Sequence, residues 1–83
     1  MTRLVFRDPD GRPVAGAVVS ITVAPGEVTD LGYVTDDGGG IAIPFDAAGR
    51  YGFTLTRSDG ERLTAQGEVQ PGSDAEIAAR PAP

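Results

Sequence analysis

A chain of eighty-three residues with a net charge of −5 and no cysteine, histidine, lysine, asparagine or tryptophan has a narrow set of options. It makes one small domain with a stability of about 5 kcal/mol, built on Val, Ile, Leu, Phe and Tyr, because neither a disulfide nor a thiolate-bound metal is available to it. The acidic balance disfavours nucleic acid and anionic membrane, which both reward positive charge, and leaves another protein as the expected partner. Without imidazole or thiol the chain has neither the commonest general base nor the usual zinc ligands, and the sequence calls for no cofactor.

Residues 2–7 alternate, with Leu4 and Phe6 on one face and Arg3, Val5 and Arg7 on the other, and predict a first strand. The segment Met1 to Asp8 is no signal peptide, since its apolar run is short and closed by charge. No stretch approaches the roughly 20 apolar residues needed to cross a bilayer, so the chain as it stands is expected in the cytoplasm, or at the surface or outside if excised from a larger protein.

Asp8 to Gly16 reads as a loop in which Pro9 and Pro13 cannot donate to a ladder. Residues 17–23 give the best strand, with Ala17, Val19, Ile21 and Val23 inward and Val18, Ser20 and Thr22 outward, closed by Pro25-Gly26. A weaker strand follows over 28–35, burying Leu31 and Tyr33. Ile41, Ile43 and Phe45 alternate with Ala42 and Pro44, which marks an edge strand or a bulge. Tyr51, Phe53 and Leu55 alternate with Arg50, Gly52, Thr54 and Thr56. Ser58-Asp59-Gly60 turns the chain into 61–69, where Leu63, Ala65, Gly67 and Val69 face in. After Pro71-Gly72 a last strand around 75–79 centres on Ile77, and residues from Ala78 onward are expected to fray.

No 3.6-residue periodicity competes with these strands. About seven short strands spaced at about 8–12 residues predict an all-β fold, a small antiparallel Greek-key-like β-sandwich. Residues 1–80 would form the domain and 81–83 a frayed tail. Tyr33, Phe45, Tyr51 and Phe53 read as core, not as a binding platform.

Three turn motifs punctuate the pattern: Asp10-Gly11-Arg12-Pro13-Val14-Ala15-Gly16-Ala17-Val18-Val19, then Thr35-Asp36-Asp37-Gly38-Gly39-Gly40-Ile41, then Gly49-Arg50-Tyr51. Together, over residues 2–57, they resemble the carboxypeptidase regulatory-like, or transthyretin-like, domains. Ile41 stands where that family has an aromatic residue, and Gly60-Glu61 where it has Gly-Tyr. The resemblance implies a β-sandwich module of the kind attached to peptidases, outer-membrane receptors, adhesins and secretion machines. The urate-pathway hydrolases that share the fold look dependent on histidine and arginine, and this chain has no histidine. A lysine–asparagine isopeptide crosslink has neither of its residues here. The sequence therefore predicts no enzyme.

Calcium is the remaining chemical candidate. Asp8-Pro9-Asp10-Gly11 opens like an EF-hand loop, but the twelfth position from Asp8 is Val19, and from Asp10 it is Ile21, so the bidentate glutamate is missing. Strand parity collects the 8–16, 36–40 and 58–60 connections at one end of the sandwich. That end then gathers Asp8, Asp10, Asp36, Asp37 and Asp59, which are weak metal candidates only, with Arg12, Arg57 and Arg62 near enough to offset part of the charge. The function expected is a non-catalytic protein-interaction or structural module. It would bind through an edge strand (41–45 or 2–7), a sheet face or the acidic loop pole, with a homodimer through an edge strand as one form. The alternative is an accessory domain of a larger secreted or surface assembly with weak ion or carbohydrate contacts.

Overall fold

The structure, a computed structural model, describes residues 2–26, 32–45 and 47–82. Seven strands follow one another: β1 (Thr2–Arg7), β2 (Val18–Val23), β3 (Tyr33–Val34), β4 (Gly40–Ile43), β5 (Gly49–Thr56), β6 (Arg62–Val69) and β7 (Ala75–Pro81). Their hydrogen-bonded order is β3-β2-β5-β6-β7-β1-β4. The fold is the small all-β sandwich that the alternation predicts.

One strand joins its two layers. The first half of β7 pairs in parallel with β1, Leu4 opposite Ala75 through Arg7 opposite Ala78. Its second half pairs antiparallel with β6, Ala65 opposite Ala79 and Leu63 opposite Pro81. Between the layers lie Leu4, Phe6, Val14, Val19, Ile41, Ile43, Phe45, Tyr51, Phe53, Leu55, Leu63, Val69 and Ile77, all buried. Phe6 meets Phe53 edge-on at 5.2 Å and Phe45 meets Tyr51 at 4.6 Å, and the Tyr51 hydroxyl donates to Ala47 O at 2.8 Å. Aromatic pairs in these geometries add to the burial term.

Four features depart from the sequence-based picture. First, β1 is no edge: it lies between β4 and β7, and its pairing with β7 is parallel. Its outward arginines reach acids on neighbouring segments, Arg7 to Glu76 at 2.9 Å and Arg3 to Asp36 at 2.8 Å, and so do not guard an edge. Second, Val23 points outward, 55% exposed. The β2–β5 register slips between Ile21 (opposite Phe53) and Val23 (opposite Gly52), so the extra residue reverses the parity and lays Val23 over Gly52. Third, the segment from Ala78 does not fray. It stays in β7 to Pro81, and Ala82 N donates to Arg62 O at 3.0 Å. Fourth, of the strand expected over 28–35, Tyr33–Val34 lies in the ladder and Gly32 and Thr35 do not, while residues 28–31 lie outside the described residues. Tyr33 is half-buried against the core, and Leu31 lies outside the described residues.

Candidate functional site

The acidic end of the molecule is built from one turn used three times. In residues 8–12, Gly11 N donates to Asp8 O and Asp8 N to Arg12 O, at 2.9 and 2.8 Å. In 36–40, Gly39 N donates to Asp36 O and Asp36 N to Gly40 O, at 2.9 and 3.0 Å. In 57–61, Gly60 N donates to Arg57 O and Arg57 N to Glu61 O, at 2.9 and 2.8 Å. The fourth residue is glycine each time, with φ of 80°, 78° and 90°, the region that a side chain resists. In the second turn the positive φ falls on Gly39, so Asp37-Gly38 is not the turning dipeptide that the sequence reading expects.

The first residue of each turn carries its chemistry. Asp8 Oδ1 accepts from Asp10 N and Arg12 N, at 3.0 and 2.9 Å, and Asp36 Oδ1 accepts from Gly38 N and Gly40 N, both at 2.9 Å. Arg57 occupies the equivalent place in the third turn and reaches Asp8 at 3.4 Å and Glu61 at 3.5 Å. The hydrogen bond from Arg3, helped by the two backbone donors, lowers the Asp36 carboxyl to about 2, from 3.8.

The first two turns are laced together beneath this surface, and Arg57 ties the third to the first through Asp8. Phe6 N donates to Gly39 O and Val14 N to Phe6 O, both at 2.9 Å. Buried Thr35 is the hub, its Oγ1 donating to Val14 O at 2.6 Å and accepting from Ala17 N at 2.9 Å. Asp8, Asp10, Asp36, Asp37 and Asp59 thus ride on neighbouring turns, but no three acids among the described residues are placed to hold a metal ion. Asp8, Asp36 and Asp59 each fold an oxygen back onto their own turn, Asp59 accepting from Glu61 N at 2.9 Å. Of the arginines expected to offset this charge, Arg57 does so; Arg3, from the far end of β1, joins it and was not foreseen.

A different surface stands out on the outer face of the β3-β2-β5-β6-β7 layer. Val34 and Val18, opposite each other in the ladder, are 63% and 46% exposed. The register continues the row through Thr56 on β5 to Arg62 on β6. The next row runs Ser20, Thr54, Thr64 and Arg80 across β2, β5, β6 and β7. Thr64, Ala65, Gln66 and Arg80 line a shallow open depression there, and Arg50 Nη2 donates to Gln66 Oε1 at 3.0 Å. Sequence reading names Val18 as outward and passes over Val34, although its alternation with Tyr33 already carries that signal.

No protein-family model and no curated protein matches this chain. Solved structures do match it. One is the C-terminal domain of the Caf1A usher, whose conserved surface hydrophobic clusters are described as important for F1 antigen assembly. It is 15% identical with a TM-score of 0.64, and 96% of each chain is covered. Another is 5-hydroxyisourate hydrolase from Klebsiella pneumoniae, 23% identical with a TM-score of 0.52, covering 99% of this chain and 90% of that one. The second overturns the sequence-based exclusion of an enzyme, because a fold neighbour spanning nearly the whole chain is a hydrolase. Missing imidazole removes one kind of base and leaves carboxylates, guanidiniums and hydroxyls in place. What the two likenesses establish together is the architecture: the chain has the transthyretin-like β fold.

Proposed function

We propose that this chain is a protein-interaction module that docks a different protein on the outer face of the β3-β2 ribbon, as a part of a larger assembly. The observation that carries it is the register pair Val18 and Val34, two half-exposed valines side by side on one face. Covering what remains in water on both adds about 2 kcal/mol, roughly a thirtyfold gain in affinity. The rival surfaces offer less. In the acidic turns Asp8 and Asp36 spend their oxygens on their own backbones and on Arg57 and Arg3. The β4 edge is four residues long, is followed by Pro44, and has Gly40 covered by the Arg3 guanidinium. Surface hydrophobic clusters on the usher domain serve assembly in that protein, and the Asp10–Val19 motif resembles modules appended to receptors and adhesins; both agree with a docking role.

Site-specific photocrosslinking in the native cell tests this. Val34→p-benzoylphenylalanine should give one discrete adduct with another protein, and Ala42→p-benzoylphenylalanine, on the outer side of the other layer, should not. Val18→Asp should abolish the first adduct. Equal adducts from both positions, or an adduct containing only copies of this chain, would refute the assignment.

A further inference from the structure

The chain is acidic overall, yet the face beside the valine pair is not. Its described residues include Val34, Val18, Ser20, Val23, the threonines Thr22, Thr54, Thr56 and Thr64, Gln66, the arginines Arg50, Arg62 and Arg80, and the acids Glu68 and Glu76, the second paired with Arg7. Three cations against two anions give this face +1 on a chain of −5, with Glu76 already held by Arg7. Arg50 lies opposite Glu68 and bonds Gln66. Among the described residues Arg62 and Arg80 carry no ion pair, whereas Arg3, Arg7 and Arg57 all do.

We infer that the segment docking on this face is an extended chain with apolar residues at one end and carboxylates at the other, its acids seated on Arg62 and Arg80. This rests on the docking assignment above and adds the chemistry of the partner. Strands lie about 4.8 Å apart, so Arg62 is about 14 Å from Val34 across the row Val34, Val18, Thr56, Arg62. Arg80 is one strand further and two residues down, about 20 Å away. An extended chain advances about 3.3 Å per residue and shows alternate side chains to one face. Apolar residues at its first and third positions therefore meet Val34 and Val18, and acids at its fifth and seventh reach Arg62 and Arg80. Thr56, Thr54 and Thr64 line the path between with hydroxyls that accept or donate as the passing backbone requires. The depression at Thr64, Gln66 and Arg80 receives the last carboxylate, where a guanidinium is able to bind both oxygens.

The probe is a blocked seven-residue peptide with valine at positions one and three, aspartate at five and seven, and serine elsewhere. It is titrated against the whole chain while backbone amides are followed by NMR. Shifts are expected at Val18, Val34, Thr56, Thr64, Gln66 and Arg80, weakening as salt is raised. A peptide with lysine in place of both aspartates should bind about tenfold more weakly, and Arg62→Gln with Arg80→Gln should weaken the aspartate peptide by a similar factor. Unchanged amide dispersion in that double variant confirms its fold. If both peptides move Val18 and Val34 equally, docking on the valines stands and the acidic partner is refuted. If neither peptide moves this face, or the aspartate peptide moves only Arg3, Arg7 and Arg12, both are refuted.

Discussion

Replacing Thr35 by valine isolates the buried bonds that tie the first two turn segments together. The substitution keeps the shape and exchanges a hydroxyl for a methyl at a site 3% exposed. Two groups then lose their partner: Val14 O, which accepts from Thr35 Oγ1 at 2.6 Å, and Ala17 N, which donates to it at 2.9 Å. Val14 and Ala17 are themselves fully buried, so water cannot take over. Each orphaned group costs about 1–3 kcal/mol, and the added methyl returns about 1 kcal/mol. The net loss of about 1–5 kcal/mol, centred near 3, is a large part of a total near 5 kcal/mol. Thr35→Ser keeps the hydroxyl, loses only a methyl, and should cost about 1 kcal/mol. Urea melts followed by far-ultraviolet circular dichroism compare the two, and amide exchange at Ala17 should quicken in the valine variant alone. A valine variant as stable as the serine variant would show that the hydroxyl does not hold the turns together.

Gly39→Ala should cost more than about 2 kcal/mol, because at φ of 78° its Cβ would stand 2.7 Å from Phe6 O and 2.9 Å from Val14 N; Gly60→Ala, at φ of 90° with open space, should cost about 1 kcal/mol, and equal melts would discount the backbone contact. Asp36 is more acidic folded than unfolded, so its contribution is whole above pH 3.8 and lost as pH falls through about 2; acid titration of stability should flatten in that window in Asp36→Asn, and an unchanged profile would reject the Arg3 pairing as its source. Val19→Ala should cost about 1–3 kcal/mol and Val18→Ala well under half of that, with half-buried Ile21→Ala between its fully buried and exposed limits of about 4 and 0 kcal/mol; chemical denaturation ranks them, and parity between Val18 and Val19 would contradict the facing.

What the sequence discloses here is local. Period-two alternation suffices to face Leu4, Phe6, Val19, Ile41, Ile43, Tyr51, Phe53, Leu55, Leu63 and Ile77 inward, because pleating alone decides it. Val23 escapes, since the slip opposite Gly52 depends on how β2 meets β5 and leaves no local trace. The place of β1 between β4 and β7 is likewise a matter of which strands meet, and nothing in residues 2–7 reports it. In the acidic turns the eye is drawn to Asp-Gly, yet the aspartates that organise them stand three residues before the glycine: Asp8 before Gly11 and Asp36 before Gly39. That spacing is legible in the sequence. The positive face was hidden by the net charge, a sum that says nothing of where Arg62 and Arg80 sit.

A strand that belongs to both layers also sets the order in which the molecule can assemble. Arg3 N donates to Asp74 across 71 residues of chain, and the ladder that begins there closes the gap between the layers. Until β7 arrives, β1 has β4 alone for a neighbour and β6 presents a bare row of donors and acceptors. Pairings of such long sequence separation are slow to find, which places folding in the millisecond-to-second range. Until β7 docks, the folding domain carries two strand edges that the finished fold closes, and it is then that a neighbouring chain is most easily taken in place of β7.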